Sequence, residues 1–480
     1  MSATNRLFTL GLAALALWSL PAVARSSDPP EAVLKAFSGV GIDRVGFSVQ
    51  VTPLEPQVNR RASSWGYNAR TLRNPASVAK VFTTAYALER FGSEYRFSTD
   101  FQATAEPVDG VLQGPLYIRG SGDPTFFTTH LWSALHELRN RGIRTLQGNV
   151  VLDKTVFKRL ASADEGLLGG DEEGEAFDDA PHRAYHAQPD ALLMNHGAMM
   201  LDIEVNGPAI RVSGRQAPHS WAFVSELNGL KGGCGAWKNG LDVKFKQSAD
   251  NVVVTVAGNY PLQCGSAVLP IRVAYQDWLW ESWFREIWAS LGGQWNGKMV
   301  EGKTPLQSVS LYTHYGEPVR NLIAEVNKWS SNVMARQLEL ATTPEDGTFN
   351  TQMQAWLNAE TINTQGWFFE NGSGLARGTK ITAQGLNEFL QYVAGRADFP
   401  DFLASLPRAG ASGTLARKVR NVGHYAYLKT GSLDGVKAVA GYVRGKSGQW
   451  YAVSVLVEHA KAYAAWPAME KTIEAVYNDQ

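Results

Sequence analysis

At 480 residues the chain is too long for one ordinary hydrophobic core, so two or more domains are expected. An apolar fraction of 44% with 11% aromatics describes a well-packed globular protein. Lys+Arg and Asp+Glu are equal at 45 each, which excludes a net field for steering nucleic acid or an anionic membrane.

The N-terminus reads as an address. Arg6 precedes an apolar run from Leu7 to Leu20, Pro21 interrupts it, and Ala22-Val23-Ala24 offers the small residues a signal peptidase inspects. Residues 1–24 are therefore expected to be a signal peptide, cleaved after Ala24 on export. An uncleaved anchor fits less well, because the run is short for a bilayer. Next, Asp28-Pro29-Pro30 leads into a helical pattern at Glu31 to Phe37, and Val45 to Val51 alternates as a strand should. Arg60 to Thr71 is polar and turn-rich. Asn74-Pro75 then reads as a helix start, since Asn is a favoured N-cap and Pro a favoured first helical residue. The apolar spacing from Val81 to Phe91, with Gly92 just after, gives that helix a buried face. Ser77 falls in its first turn, and Lys80, three residues on, lies on the same face.

From about Thr99 the character changes. Short strand-like runs such as Leu116 to Arg119, Gly148 to Asp153, Met199 to Val205, Leu241 to Phe245 and Val252 to Val256 alternate with glycines, which suggests a β-rich module. Ala163 to Asp179 concentrates carboxylates among glycines and reads as a solvated loop, without the ligand spacing of a calcium site. Cys234 and Cys264 are the two cysteines. After export one disulfide is favoured, with two buried free thiols as the alternative, and two cysteines alone build no zinc site.

At Tyr275 the helical period returns with a stripe of Trp278, Trp280, Trp283, Phe284, Ile287 and Trp288, read as core or interdomain packing. Helical segments at Val319 to Leu340, Ala383 to Ala394 and Ala465 to Tyr477 alternate with strands at Ala426 to Lys429, Val436 to Val443 and Trp450 to Val457. The expected organisation is an α/β (α+β) domain split into residues 25–98 and 268–480, with residues 99–267 inserted as a β-rich module.

Three short motifs carry the chemistry. Ser77-x-x-Lys80 pairs a hydroxyl with an amine at the positive end of a helix, and such a serine becomes a nucleophile if the amine is kept neutral. Ser330-Ser331-Asn332 supplies a hydroxyl and an amide two residues apart. Lys429-Thr430-Gly431-Ser432 sits where a strand meets a glycine. Each alone is more often structural than catalytic; each is unique in the chain, and their order matches the set of penicillin-recognising enzymes.

Within that set the chain resembles the low-molecular-mass class C penicillin-binding proteins, the D-alanyl-D-alanine carboxypeptidase/endopeptidase family. The resemblance covers nearly the whole mature chain and extends to Leu116-Tyr-Ile-Arg-Gly-Ser-Gly122-Asp123-Pro124-Thr125, Asn371-Gly-Ser-Gly-Leu375, Gly410-Ala-Ser-Gly413-Thr414-Leu415 and the residues that follow Lys429 up to Tyr442. It departs at Ser331 and Asn371, where the family usually has Asp, and at Ser432, where Thr is frequent. Ser331 is expected to point away from the site. The resemblance implies a discontinuous serine transpeptidase-like fold, with Ser77 as nucleophile, Lys80 as its base and Ser330 as proton relay. Asn332, Lys429, Thr430 and Gly431 would bind substrate, and the backbone N–H groups of Ser77 and Ser432 would form the oxyanion hole. The expected substrate is peptidoglycan, at D-Ala-D-Ala stem peptides and crosslinks, with β-lactams as inhibitors and with no cofactor or metal. A periplasmic protein follows, with no nucleic-acid partner and no transmembrane segment once mature; a homodimer is left open. A β-lactamase and a catalytically silent cell-wall-binding scaffold are the competing readings. Gly122-Asp123-Pro124 is read as turn chemistry, and His186 and His196 as ordinary loop or surface residues.

Overall fold

The computed structural model describes residues 28–56, 58–59, 62–157, 178, 180–248, 251–344 and 347–479. The expected signal peptide and nearly all of the acidic stretch from Ala163 to Asp179 lie outside the described residues.

A five-stranded antiparallel sheet organises the half of the molecule that carries the three motifs, in the order Ala426–Leu433, Val436–Arg444, Trp450–Glu458, Phe47–Pro53, Trp65–Tyr67. Its residues divide with period two. Val453, Val455 and Val457 pack with Val33, Phe37 and Ile473 of helices Glu31–Gly39 and Trp466–Tyr477 on one face. Ala438, Ala440, Ala452 and Leu456 pack on the other face in one core with helices Lys80–Phe91, Val319–Trp329, Asn332–Thr342 and Ala383–Ala394. Burial on both faces is why Val436–Arg444 and Trp450–Glu458 read as near-continuous apolar runs, while Phe47–Pro53 keeps its alternation through Ser48 and Gln50.

The inserted module has its own core. A second five-stranded sheet runs Met299–Glu301, Val150–Asp153, Leu116–Gly120, Arg96–Ala103, Val309–Pro318, and two three-stranded sheets carry the segments from Ala198 to Arg272. The module also contains a helix at Thr128–Asn140 and a strand at Trp221–Leu230, neither of which the sequence pattern singled out. Cys234 and Cys264 are joined as a disulfide within it.

Two sequence expectations are corrected. The boundary placed at residues 267/268 falls instead near Pro318, because Val309–Pro318 pairs with Arg96–Ala103 and the stripe from Leu279 to Trp288 packs in the module's own core. The helical segment expected from Val319 to Leu340 is two helices with a break at Ser330, which adopts φ 61° in the left-handed region; the Ser331 hydroxyl then accepts from Met334 N and caps the second helix. Ser331 thus serves its own helix. Among the described residues no helix is long and apolar enough to cross a membrane.

Candidate active site

The site forms where the edge strand Ala426–Leu433 meets the start of helix Lys80–Phe91 and the break at Ser330. The chain approaches Ser77 under tight control. Asn74 accepts from Ala76 N through Oδ1 at 2.7 Å and donates through Nδ2 to the carbonyls of Ala376 and Arg377 at 2.8 and 3.1 Å. Ala76 is held at φ 47°, a left-handed conformation that costs an alanine roughly 1–2 kcal/mol and marks a site whose geometry is imposed by its surroundings. Ser77 lies in a 3-10 turn at Ala76–Ala79, and Lys80 is the first residue of the α-helix proper. The sequence placed Ser77 in the first α-turn; the tighter turn keeps the three-residue spacing and the shared face.

Lys80 Nζ meets three oxygens: Ser77 Oγ at 3.0 Å, Asn332 Oδ1 at 2.7 Å and the carbonyl of Ser373. Asn332 is oriented by its own Nδ2, which donates to the carbonyl of Tyr185 at 3.0 Å and so turns Oδ1 toward Lys80. Lys80 is fully buried, and its pKa is lowered far below that of a free lysine, by burial first and by repulsion from Lys429 second. A neutral amine has two hydrogens and one lone pair. Asn332 Oδ1 and the Ser373 carbonyl can only accept, so they take the hydrogens, and the lone pair is left for the Ser77 hydroxyl.

Lys429 is also fully buried, and burial pulls its pKa down to about 7. Its Nζ donates to Ser330 Oγ at 2.9 Å and to the carbonyl of Thr430 at 2.8 Å. The left-handed break at Ser330 is what brings that hydroxyl into the seam rather than along the helix. Thr430 Oγ1 and Thr414 Oγ1 share a hydrogen bond of 2.8 Å. Ser77, Ser330, Asn332 and Thr430 are partly exposed above the two buried amines. The layering is simple: hydroxyls and an amide lie outermost, and the two amines lie beneath.

Two glycines permit the close approach. A Cβ at Gly431 would stand 2.5 Å from the carbonyl oxygen of Pro75 and 3.1 Å from Ser77 N, so only glycine lets the strand edge reach the nucleophile's amide. Gly374, at φ 70°, would likewise drive a Cβ to 2.1 Å from the carbonyl oxygen of Ala76. Pro407 and Ala409 cover the lower part of the edge strand through Leu428 N and the carbonyl of Ala426, which leaves the Thr430 to Ser432 end toward Ser77. Ser432 Oγ accepts from Lys437 at 2.9 Å, and its side chain is exposed.

Sequence reasoning gathered Ser77, Lys80, Ser330, Asn332, Lys429, Thr430, Gly431 and Ser432, and the fold brings all of them to this seam. It gave no role to Ser373, Thr414 or Tyr185. The first is held by Asn371, whose Oδ1 accepts from Ser373 N, Ser373 Oγ and Gly374 N at 3.0, 2.8 and 3.0 Å. The motifs Asn371 to Leu375 and Gly410 to Leu415 were visible as letters, but a carbonyl contact has no letter. His186, expected at the surface or in a loop, is buried at the end of a 3-10 turn, Ala184–His186, and bonded to Asp178 at 3.1 Å.

Comparison with known proteins places the chain in a family. A family model described as the D-Ala-D-Ala carboxypeptidase 3 (S13) family matches residues 48–477. The D-alanyl-D-alanine carboxypeptidase DacB of Haemophilus influenzae is 26% identical over 440 residues, spanning 87% of this chain and 86% of the relative. The D-alanyl-D-alanine carboxypeptidase of Actinomadura sp. strain R39 is 27% identical over 397 residues, spanning 78% of this chain and 71% of the relative. Among solved structures, penicillin binding protein 4 from Haemophilus influenzae superposes with a TM-score of 0.76 at 22% identity, covering 90% of this chain and 96% of that one.

Proposed function

The chain belongs to the D-Ala-D-Ala carboxypeptidase 3 (S13) family and is a serine D-Ala-D-Ala carboxypeptidase, and we propose that it works through an acyl-enzyme on Ser77. The observation that carries this reading is the hydrogen-bond pattern around Lys80, whose two acceptors leave its lone pair facing Ser77 Oγ at 3.0 Å.

In the first step Ser77 Oγ attacks the carbonyl carbon of the penultimate D-alanine while its proton passes to Lys80 Nζ. The oxyanion lies between the N–H groups of Ser77 and Ser432, each donor being worth about 3–4 kcal/mol in sites of this kind. The C–N bond breaks as the proton taken up by Lys80 is relayed through Ser330 to the departing amine, and D-alanine leaves. Water then attacks the ester and restores Ser77. Asn332 holds the substrate backbone, and Thr430, with Lys429 behind it, receives the terminal carboxylate, whose charge favours the protonated amine. The same amide chemistry serves a crosslink, so endopeptidase action on peptidoglycan belongs to this proposal, as do acylation by β-lactams and work in the periplasm.

Labelling with a fluorescent penicillin tests the nucleophile. Wild type should give a stable adduct, and Ser77→Ala should give none while keeping its thermal unfolding transition. Labelling that persists in the variant would put the nucleophile elsewhere, and rapid turnover of the drug would favour the β-lactamase reading. Digestion of purified muropeptides separates the two peptidase activities by their products.

A further inference from the structure

A cavity of about 260 Å³ opens on the inserted module, away from Ser77, and is lined by Lys154, Asp190, Arg272, Tyr275, Asp277 and Trp278 among others. Its floor is an ion cluster. Lys154 Nζ lies 3.1 Å from Asp190 Oδ2 and 3.0 Å from Glu301 Oε1, and it also bonds Asp277 Oδ1. One cation therefore serves three carboxylates, a surplus of two negative charges in a partly desolvated place. Burial pushes the Asp277 carboxyl up to about 6 despite Lys154, as expected where the cluster is short of positive charge.

A structural role explains Lys154 and its partners, but it does not explain Arg272. Among the described residues the Arg272 side chain makes no hydrogen bond and no ion pair, although it is partly buried in the cavity wall, and burial lowers its pKa. Its backbone is fixed by Arg272 N donating to the carbonyl of His182 at 2.8 Å. A desolvated guanidinium without a partner is costly, and a planar fork of donors is suited to a carboxylate. The third wall is apolar: Tyr275 and Trp278 stack with ring centroids 3.9 Å apart.

We propose that this cavity binds a small α-amino acid as the zwitterion, its carboxylate on Arg272, its ammonium on the Asp190 and Asp277 carboxylates, and its side chain against the stacked rings. A lone anion would meet the surplus carboxylates, and a lone cation would meet Arg272; a molecule carrying both charges satisfies both. The volume lies just below the range of roughly 300–1,000 Å³ usual for larger ligands, which suits a single amino acid.

One wall of the cavity is tied to the helix that follows the catalytic seam. Asp190 is clamped by Gln337, which accepts from Asp190 N and donates to the Asp190 carbonyl, both at 2.9 Å, and Gln337 lies on the helix that begins at Asn332. The same loop supplies the Tyr185 carbonyl to Asn332. D-alanine, the amino acid released under the proposed function, is therefore the first probe, and the choice of that probe rests on that reading.

Calorimetric titration of the purified protein with D-alanine, L-alanine, acetate and methylammonium tests the site. Either alanine should bind saturably to wild type and to Lys429→Met, which alters the catalytic seam. Acetate and methylammonium should each bind at least tenfold more weakly. Arg272→Gln should weaken alanine binding tenfold or more, Asp277→Asn should weaken it less, and Arg272→Lys should recover part of the loss. Binding of L-alanine alone upholds the site and removes its link to the reaction product. Alanine binding that survives Arg272→Gln, or that disappears in Lys429→Met, or acetate binding as tightly as alanine, overturns the proposal.

Discussion

Lys154 in the inserted module and the pair Lys80 and Lys429 in the catalytic seam are all largely or wholly buried lysines, yet their surroundings give them opposite proton states. Burial pulls on Lys154 as it does on the others, but Asp190 and Asp277, with Glu301, outweigh it and hold the pKa above the ordinary lysine value. Among the described residues no carboxylate forms an ion pair with Lys80 or Lys429, so burial goes unopposed and both pKa values fall. What leaves a lysine neutral, and so free to take a serine's proton at neutral pH, is thus less the presence of any special neighbour than the exclusion of acidic ones. Asn332 occupies the position where a carboxylate would do most harm, 2.7 Å from Lys80 Nζ.

The sharpest way to break the contrast is to give Lys80 what Lys154 has. Asn332→Asp places a carboxylate against Lys80, favours its charged form, and should slow acylation of Ser77 by roughly 10²–10⁴-fold at pH 7, the usual loss when an acid-base partner fails. Because the defect is a proton, raising the pH should recover part of the rate; a loss independent of pH would mean that Asn332 acts on substrate alone. The reverse operation is Lys154→Met, which strips a shared cation from three carboxylates. Removing one partner of a fully buried pair costs about 3–5 kcal/mol, but the Glu301 side chain is 61% exposed, so a loss of about 2–3 kcal/mol in urea unfolding is expected. An unchanged midpoint would show that the cluster is solvated in solution.

How much of this was legible in the sequence follows from what each contact is made of. Ser77 and Lys80 are three residues apart in one helical turn, and Ser330, Asn332, Lys429 and Thr430 are side chains in short motifs, so letters alone located them. The carbonyls of Ser373 and Tyr185 complete the base, but every residue has a carbonyl and no composition marks the two that matter. The break at Ser330 was hidden because the apolar residues Leu322, Val326, Val333 and Leu338 keep a buried pattern on both sides of it. The return to the catalytic half was placed too early because a tryptophan stripe shows that a helix is buried without showing in which core. The helix Thr128–Asn140 has no side-chain cap at Phe127 and begins Thr-Thr-His, so no start signal announced it. Lys154 meets acids at positions 190, 277 and 301, a spacing that no local pattern could reveal.

Lys429→Met extends the contrast to stability. For wild type the folded pKa of about 7 lies below the unfolded value of ~10.4, so the unfolded chain binds the extra proton between those limits. The penalty is therefore absent above about pH 10.4, grows as pH falls, and is complete below about pH 7. Replacing the amine by an apolar group of similar length should abolish turnover yet raise stability by about 1–2 kcal/mol at pH 6, net of the lost bonds to Ser330 and Thr430, and the gain should vanish by pH 10. A gain that persists at pH 10 would trace the effect to packing instead of charge.

The smallest effect is the most diagnostic of how the two amines divide their work. If Lys429 must be charged to attract the substrate's terminal carboxylate, kcat/KM should fall on the basic side with an apparent pKa near 7, by about tenfold per pH unit, because that ratio reports the free enzyme. Bound carboxylate favours the protonated amine, so kcat should hold to higher pH and the loss should appear as a rising KM. A substrate ending in a C-terminal amide gives Lys429 nothing to attract; it should be slower throughout and show no such limb. If the amide shows the same limb, the proton being lost belongs to another group, and Lys429 is there to keep Lys80 neutral by repulsion. Lys154, held charged across the same range by its carboxylates, contributes nothing to either profile, so Lys154→Met should leave the apparent pKa unmoved even where it lowers the unfolding midpoint.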